Sequence, residues 1–333
     1  MEMPSAQREA AVASAVGRRT IHPALYLGVL AVTVGLGLAA IATFLCSLAA
    51  RHMLPPLPVS GNLAFDEKIE FIRRRDGFTC EVLAVGSSMT LNNLHSGEFA
   101  RAMADGERLL NVGAWAMKIS DSREMLTFAL ERAAPRQVVM VSGPMDFYRD
   151  RDHAFVNRAK LAPMVDGNSY PWQVAKNLDV QYYWNNRMRM PALRSSTTSY
   201  ESVAFDASGA VLLDIHQPDV DAIRWNQLVD CARFDKRQYK AFSELAADLR
   251  SRGIALVCAQ APLRADSIPS GQLEPLRAHW RTLADVCSAH GHRFVNVHER
   301  LELPEDCFAD YSHLNVDGAA RFTASLVEAL AQP

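Results

Sequence analysis

The sequence predicts an α/β protein built on a doubly wound sheet of about five parallel strands, preceded by one transmembrane helix. Three observations predict it. Five short apolar runs recur along the chain, helix-like segments separate them, and one long stretch near the N-terminus carries no charge. Strands alternating with helices give a parallel sheet, because a parallel crossover needs a connecting element.

The uncharged stretch comes first. From Pro23 to Ala50, PALYLGVLAVTVGLGLAAIATFLCSLAA runs for 28 residues without a charge. About 20 apolar residues suffice to cross a bilayer. Arg8, Arg18 and Arg19 precede it and Arg51 follows. The positive-inside rule therefore keeps residues 1–22 in the cytoplasm and sends the rest to the periplasmic or extracytoplasmic side. A cleaved signal peptide is the competing reading, with Ser47-Leu48-Ala49 as its small-x-small site. Signal cores are shorter, about 7–15 residues. Leu45 before Cys46 is too bulky for a lipidation box. The segment RHMLPPLPVSGNLAF, 51–65, reads as a stiff non-helical linker because of its prolines and Gly61. Residues 66–333 are then the α/β domain.

Within that domain the strands are CEVLAVG (80–86), RLLNVGA (108–114), QVVMVSG (137–143), IALVCAQ (254–260) and RFVNVH (293–298). Continuous Val, Leu and Ile runs of this length suit strands covered on both faces. The periodic segments 120–134, 235–253 and 314–330 supply helices. The first opens on Ser and Asp, and the second stops at a glycine. The expected arrangement is three-layered, α/β/α, of the flavodoxin-like kind. Residues 147–235 break the alternation. They are polar, aromatic and irregular, and read as an insertion between the third and fourth strands.

A net charge of −2 offers no basic excess for a nucleic-acid partner. Six cysteines contain no C-x-x-C pair, which argues against a redox motif or zinc ribbon. Cys258 reads as a buried small apolar residue. One disulfide among Cys80, Cys231, Cys287 and Cys307 is compatible with an oxidising compartment. His290, His292 and His298 cluster, but no carboxylate or cysteine joins them at metal-ligand spacing. No metal is expected.

The chemistry is expected at EVLAVGSSMTLNN, 81–93. Ligands of such sheets bind beyond the strands' carboxyl ends, and Gly86-Ser87-Ser88 sits at one. A serine needs a base, and the base an orienting group. In FADYSHLNVDGAARF, 308–322, Asp310 precedes His313 by three residues, between the last strand and the last helix. One loop of that spacing lets the carboxylate hold one ring nitrogen while the other faces Ser88. The plainer reading is a serine cap on one side and a stabilised loop with Asn315 as helix cap on the other.

Taken together, GSSMT (86–90), NVGAWAM (111–117) and DYSHLN (310–315) resemble the SGNH/GDSL hydrolase superfamily over about residues 80–330, the insertion apart. The resemblance implies Ser88 as nucleophile, His313 as base, Asp310 as its orienter, and the Ser88 and Gly113 N–H groups as an oxyanion hole, with no cofactor. Ser87 replaces the family's usual aspartate. In GPMDF, 143–147, Met145 replaces the asparagine whose side chain usually donates to the oxyanion. Methionine cannot donate, and losing one such donor costs roughly 10²–10³ in rate. Asn92, Asn93 and Gln260 are the alternative donors. Arg264 lies at the ligand edge. Tyr182, Tyr183, Trp184 and Trp225, with Arg187, Arg189 and Arg194, either meet acidic sugars or pack the insertion. The anchored architecture resembles proteins that act beside membrane-bound O-acyltransferases. That implies an esterase or O-acyltransferase working on an acylated glycan of the cell envelope. The alternative is a non-catalytic glycan-binding or scaffold subunit with a degenerate site.

Overall fold

A computed structural model describes residues 23–75, 77–103, 108–149, 156–167, 170–216 and 227–331. Arg8, Arg18, Arg19 and Trp225 lie outside them. The chain divides into two units, Met1–Leu54 and Pro55–Pro333.

In the first unit Pro23–Ala50 is one helix of 28 residues. Its side chains are almost all exposed and apolar. At 1.5 Å per residue it extends about 42 Å, more than the roughly 30 Å hydrocarbon core of a bilayer. By length and composition it is able to cross a membrane.

The second unit begins earlier than the linker reading allowed. Asp66 accepts the Ser60 N–H at 2.9 Å and the Val59 N–H at 3.2 Å. Asn62 caps the helix Leu63–Arg74 through the Phe65 N–H. The prolines and Gly61 suggest a spacer, but this segment's polar side chains tie it to the domain.

Five strands form one all-parallel sheet: β1 (Val82–Ala84), β2 (Leu109–Asn111), β3 (Gln137–Ser142), β4 (Ala255–Gln260) and β5 (Arg293–Asn296), in the order β2-β1-β3-β4-β5. The ladders are shorter than the apolar runs, since apolarity marks burial and burial continues into the turns. The register sets Val82 beside Leu109 and Gln137, and Ser142 beside Gln260. Alternate residues from both faces are buried: Val82, Ala84, Val139, Val141, Val257 and Ala259, and equally Leu83, Val138, Met140, Leu256 and Cys258. The first set packs with Ala319, Phe322 and Leu326 of the helix Val316–Ala331. Helices Ile119–Leu130, Lys236–Ser251 and Leu273–Ala289 fill the other connections. All six cysteines are free thiols.

The region 147–235 is less irregular than expected. It contains the short helices Arg158–Val165, Tyr170–Lys176, Val180–Asn186 and Met190–Ser195. Two of them are capped by Asn157 and Asp179. None is long enough to show a clear apolar period. Beyond them the chain returns to the sheet's carboxyl edge, where Leu213 bridges Asn315.

Candidate active site

Strand β1 is the first to reach the site. Val85 still donates to Val139 O at 3.0 Å, and the chain then turns at Gly86. A Cβ at Gly86 would lie 2.2 Å from Thr90 Oγ1, so only glycine fits. Thr90 explains the tightness. Its buried hydroxyl lies 2.8 Å from Val141 O and accepts the Val141 N–H at 3.0 Å, fastening the turn to β3.

The two serines then take different environments. Ser87 is the N-cap of the helix Ser88–Asn93 and accepts the Met89 N–H at 3.1 Å. It is buried, and its hydroxyl also bonds the Asp146 carboxylate. Ser88 is half-buried and faces a cavity of about 380 Å³. Its Oγ lies 2.8 Å from His313 Nε2. On the other side of the ring, Nδ1 lies 2.7 Å from Asp310 Oδ2. That geometry requires the tautomer with Nδ1 protonated toward the carboxylate, leaving the Nε2 lone pair for the serine proton.

The loop holding the base is braced from several sides. Asp310 is fully buried, and its Oδ1 accepts the backbone N–H of Ser312 at 2.8 Å and of His313 at 2.7 Å. Asn93, on the serine's own helix, donates to Ser312 O at 3.2 Å and accepts the Leu314 N–H at 2.9 Å. Arg264 N–H donates to Tyr311 O at 3.0 Å, and the Tyr200 hydroxyl donates to Ala309 O.

Electrostatics follow from this packing. Burial pushes the Asp310 carboxyl up, but the facing His313 and the His313 and Ser312 N–H groups outweigh it, and the carboxyl titrates below its usual range. Burial pushes His313 down, yet the charge and hydrogen bond of Asp310, helped by Asp146, hold the imidazole above its ordinary value. Asp146 is itself raised to about 6 by burial, against the Gly143 N–H, Lys118 and Ser87.

Ser88, His313 and Asp310 are thus brought together, as are Asn92 and Met145 at the cavity wall. Other predicted residues are not. Gly113 does not line the cavity, and its N–H donates to Asn111 Oδ1 at 2.9 Å. Gln260 is buried beneath the sheet edge, with Nε2 on Ala261 O and Oε1 on the Trp280 indole. Asn92 donates to Val211 O at 2.9 Å. Arg264 pairs with Asp266 at 2.7 and 2.6 Å and stacks on Tyr311. Tyr183 is buried in the insertion, and Trp184 is exposed under the Arg187 guanidinium, both away from the cavity. Arg189 and Arg194 pair with Glu201 and Glu67. His292 holds the Leu256 N–H and Ala246 O on its two ring nitrogens, and His298 accepts the Leu263 N–H.

Several cavity residues were not anticipated: Asn62, Trp115, Lys118, Asp146, Tyr200 and Glu201. Asp146 stood inside a quoted motif and Lys118 directly after another, and both flank turns at the carboxyl edge. Ala116 carries a left-handed φ of 60°, a strained conformation at the cavity mouth. No family model matches the chain, and no curated protein matches it.

Proposed function

We propose that the chain is a serine esterase or O-acyltransferase of the SGNH type. The observation that carries this reading is His313, set between Asp310 Oδ2 at 2.7 Å and Ser88 Oγ at 2.8 Å beside an open cavity. A hydroxyl so placed loses its proton to Nε2 as Oγ attacks an acyl carbonyl carbon. The carbonyl π electrons move to oxygen. When they return, the ester C–O bond breaks and the departing alkoxide takes the proton from His313. Water or a second hydroxyl repeats the sequence on the acyl-serine. The Ser88 N–H has no protein acceptor among the described residues and is the first oxyanion donor.

Substrate class follows from the walls. Met89, Met117, Met145, Trp115 and Tyr200 make a mostly apolar lining suited to a short acyl chain. The acyl donor in this reading is an acylated envelope glycan, with a membrane-bound O-acyltransferase as partner. The 23–50 helix serves as anchor, with its N-terminus cytoplasmic and the α/β domain outside. In this reading the domain is three-layered, α/β/α. The non-catalytic alternative draws on Met145, whose side chain offers no donor, and on Gly113, whose N–H is already committed.

Fluorophosphonate labelling of the full chain in detergent decides between them. Labelling should vanish in Ser88→Ala and His313→Ala and persist in Ser87→Ala. A folded wild type that takes no label would leave the non-catalytic reading standing.

A further inference from the structure

Acyl transfer at Ser88 needs a second donor for the oxyanion, and the obvious groups are engaged, buried or without a proton to give. Gly113 N–H points at Asn111. Asn92, Asn93 and Gln260 direct their amides to backbone carbonyls. The Trp115 indole N–H has no partner among the described residues, but it is sealed within the wall. Met145 has no proton to give. Among the described residues, one lysine or arginine side chain remains at the cavity wall. Lys118 is half-buried there, and its Nζ donates to the Met145 carbonyl at 2.7 Å.

Resting on the reading above, we propose that Lys118 is the second oxyanion donor, standing in for the amide that residue 145 lacks. An ammonium has three protons. One goes to Met145 O, and among the described residues no other acceptor takes the remaining two. The anchoring carbonyl belongs to residue 145 itself, so Nζ is held 2.7 Å from that residue's backbone. The lysine is held in advance of any substrate. Its backbone N–H donates to Asp121 Oδ2 at 3.2 Å at the start of the helix Ile119–Leu130, and the left-handed Ala116 fixes the turn before it. A donor fixed in place spends no reorganisation at the moment charge develops, and a cation near apolar walls acts more strongly than in water. In the step itself, Oγ–C forms, the carbonyl π bond breaks, the serine proton goes to His313, and the negative oxygen rests on the Ser88 N–H and Lys118 Nζ. Asp146, close to Lys118, balances the cation in the resting site.

The test is the second-order rate of fluorophosphonate labelling, with kcat and KM for 4-nitrophenyl acetate, on the full chain in detergent. Lys118→Met should slow labelling and kcat by on the order of 10²–10³ with little change in KM. Met145→Asn placed in that background should restore at least about ten-fold, because the amide resupplies the donor. A lysine that only braced Met145 O would not be rescued this way. Lys118→Gln keeps a donor for Met145 O without the charge. It carries the test if the methionine variant does not fold, with a loss of about ten-fold or more expected. Wild-type labelling at Ser88 with Lys118 variants within about three-fold of it, or loss without rescue, would overturn the proposal and leave the esterase reading intact. A folded wild type without label would remove both.

Discussion

Asn93→Ala separates positioning from stability. Asn93 is fully buried on the helix that carries Ser88, and its amide holds the residues on both sides of His313. Alanine leaves the Ser312 carbonyl and the Leu314 N–H without partners. An unpaired buried group costs about 1–3 kcal/mol. Ser312 borders the cavity and regains some water, so a total of about 2–4 kcal/mol is expected. That lowers the unfolding temperature by on the order of 5–15 °C. The effect on chemistry is separate. With both neighbours of His313 released, the 2.8 Å approach of Nε2 to Ser88 Oγ loosens. A displacement of about 1 Å costs roughly 10²-fold, so labelling should fall between about ten- and a hundred-fold, measured well below the unfolding temperature. Leu326→Ala is the control. Leu326 is fully buried in the C-terminal helix, and its truncation costs about 2–5 kcal/mol without removing a hydrogen bond to the loop. It should label at the wild-type rate. If Asn93→Ala is as unstable as this control yet labels equally fast, the clamp does not position the base.

Two further outcomes are expected. Only neutral His313 can take the serine proton, and its conjugate acid is held above the usual 6.5. Labelling should therefore rise with pH along a limb centred above about 6.5, and Asp310→Asn should move that limb to lower pH while cutting the plateau by roughly 10³–10⁴. A limb that stays put in Asp310→Asn would refute the pairing. Gly86→Ala forces a methyl to 2.2 Å from Thr90 Oγ1 and 3.2 Å from Val141 O. It should destabilise by about 1–3 kcal/mol and abolish labelling, and calorimetry showing no loss would mean that the turn is not tight.

Strands and long helices were legible because their signals are local. The run QVVMVSG becomes β3 from Gln137, and the period of 235–253 becomes the helix Lys236–Ser251. The serine, histidine and aspartate were legible because side-chain chemistry is written in residue type. Which groups are free to serve as the proposed oxyanion donors was not. Whether an N–H or amide is free depends on acceptors far away in the chain. Asn93 meets Ser312 at a separation of 219 residues, and Asn92 meets Val211 at 119. Gln260 and Trp280 are only 20 apart, yet nothing in either local pattern announces the pair. The linker expected at 51–65 misled for the same reason, since prolines describe stiffness and not what the stiff segment is fastened to. Tyr183 and Trp184 are aromatic neighbours on a short helix whose placement no period in the sequence reveals.

The distance along the chain between Ser88 and His313 has a kinetic consequence. Ser88 and His313 are separated by 225 residues, and Tyr200 reaches Ala309 across 109. Contacts of high sequence separation form late, after the loop-closure entropy of the intervening chain has been met. Synthesis proceeds from the N-terminus, so the Gly86–Ser88 turn emerges long before its partner loop. During that interval Ser88 is an ordinary hydroxyl. The Ser88–His313–Asp310 cluster is completed with the docking of the final helix, and in the proposed reading its chemistry is coupled to the end of folding.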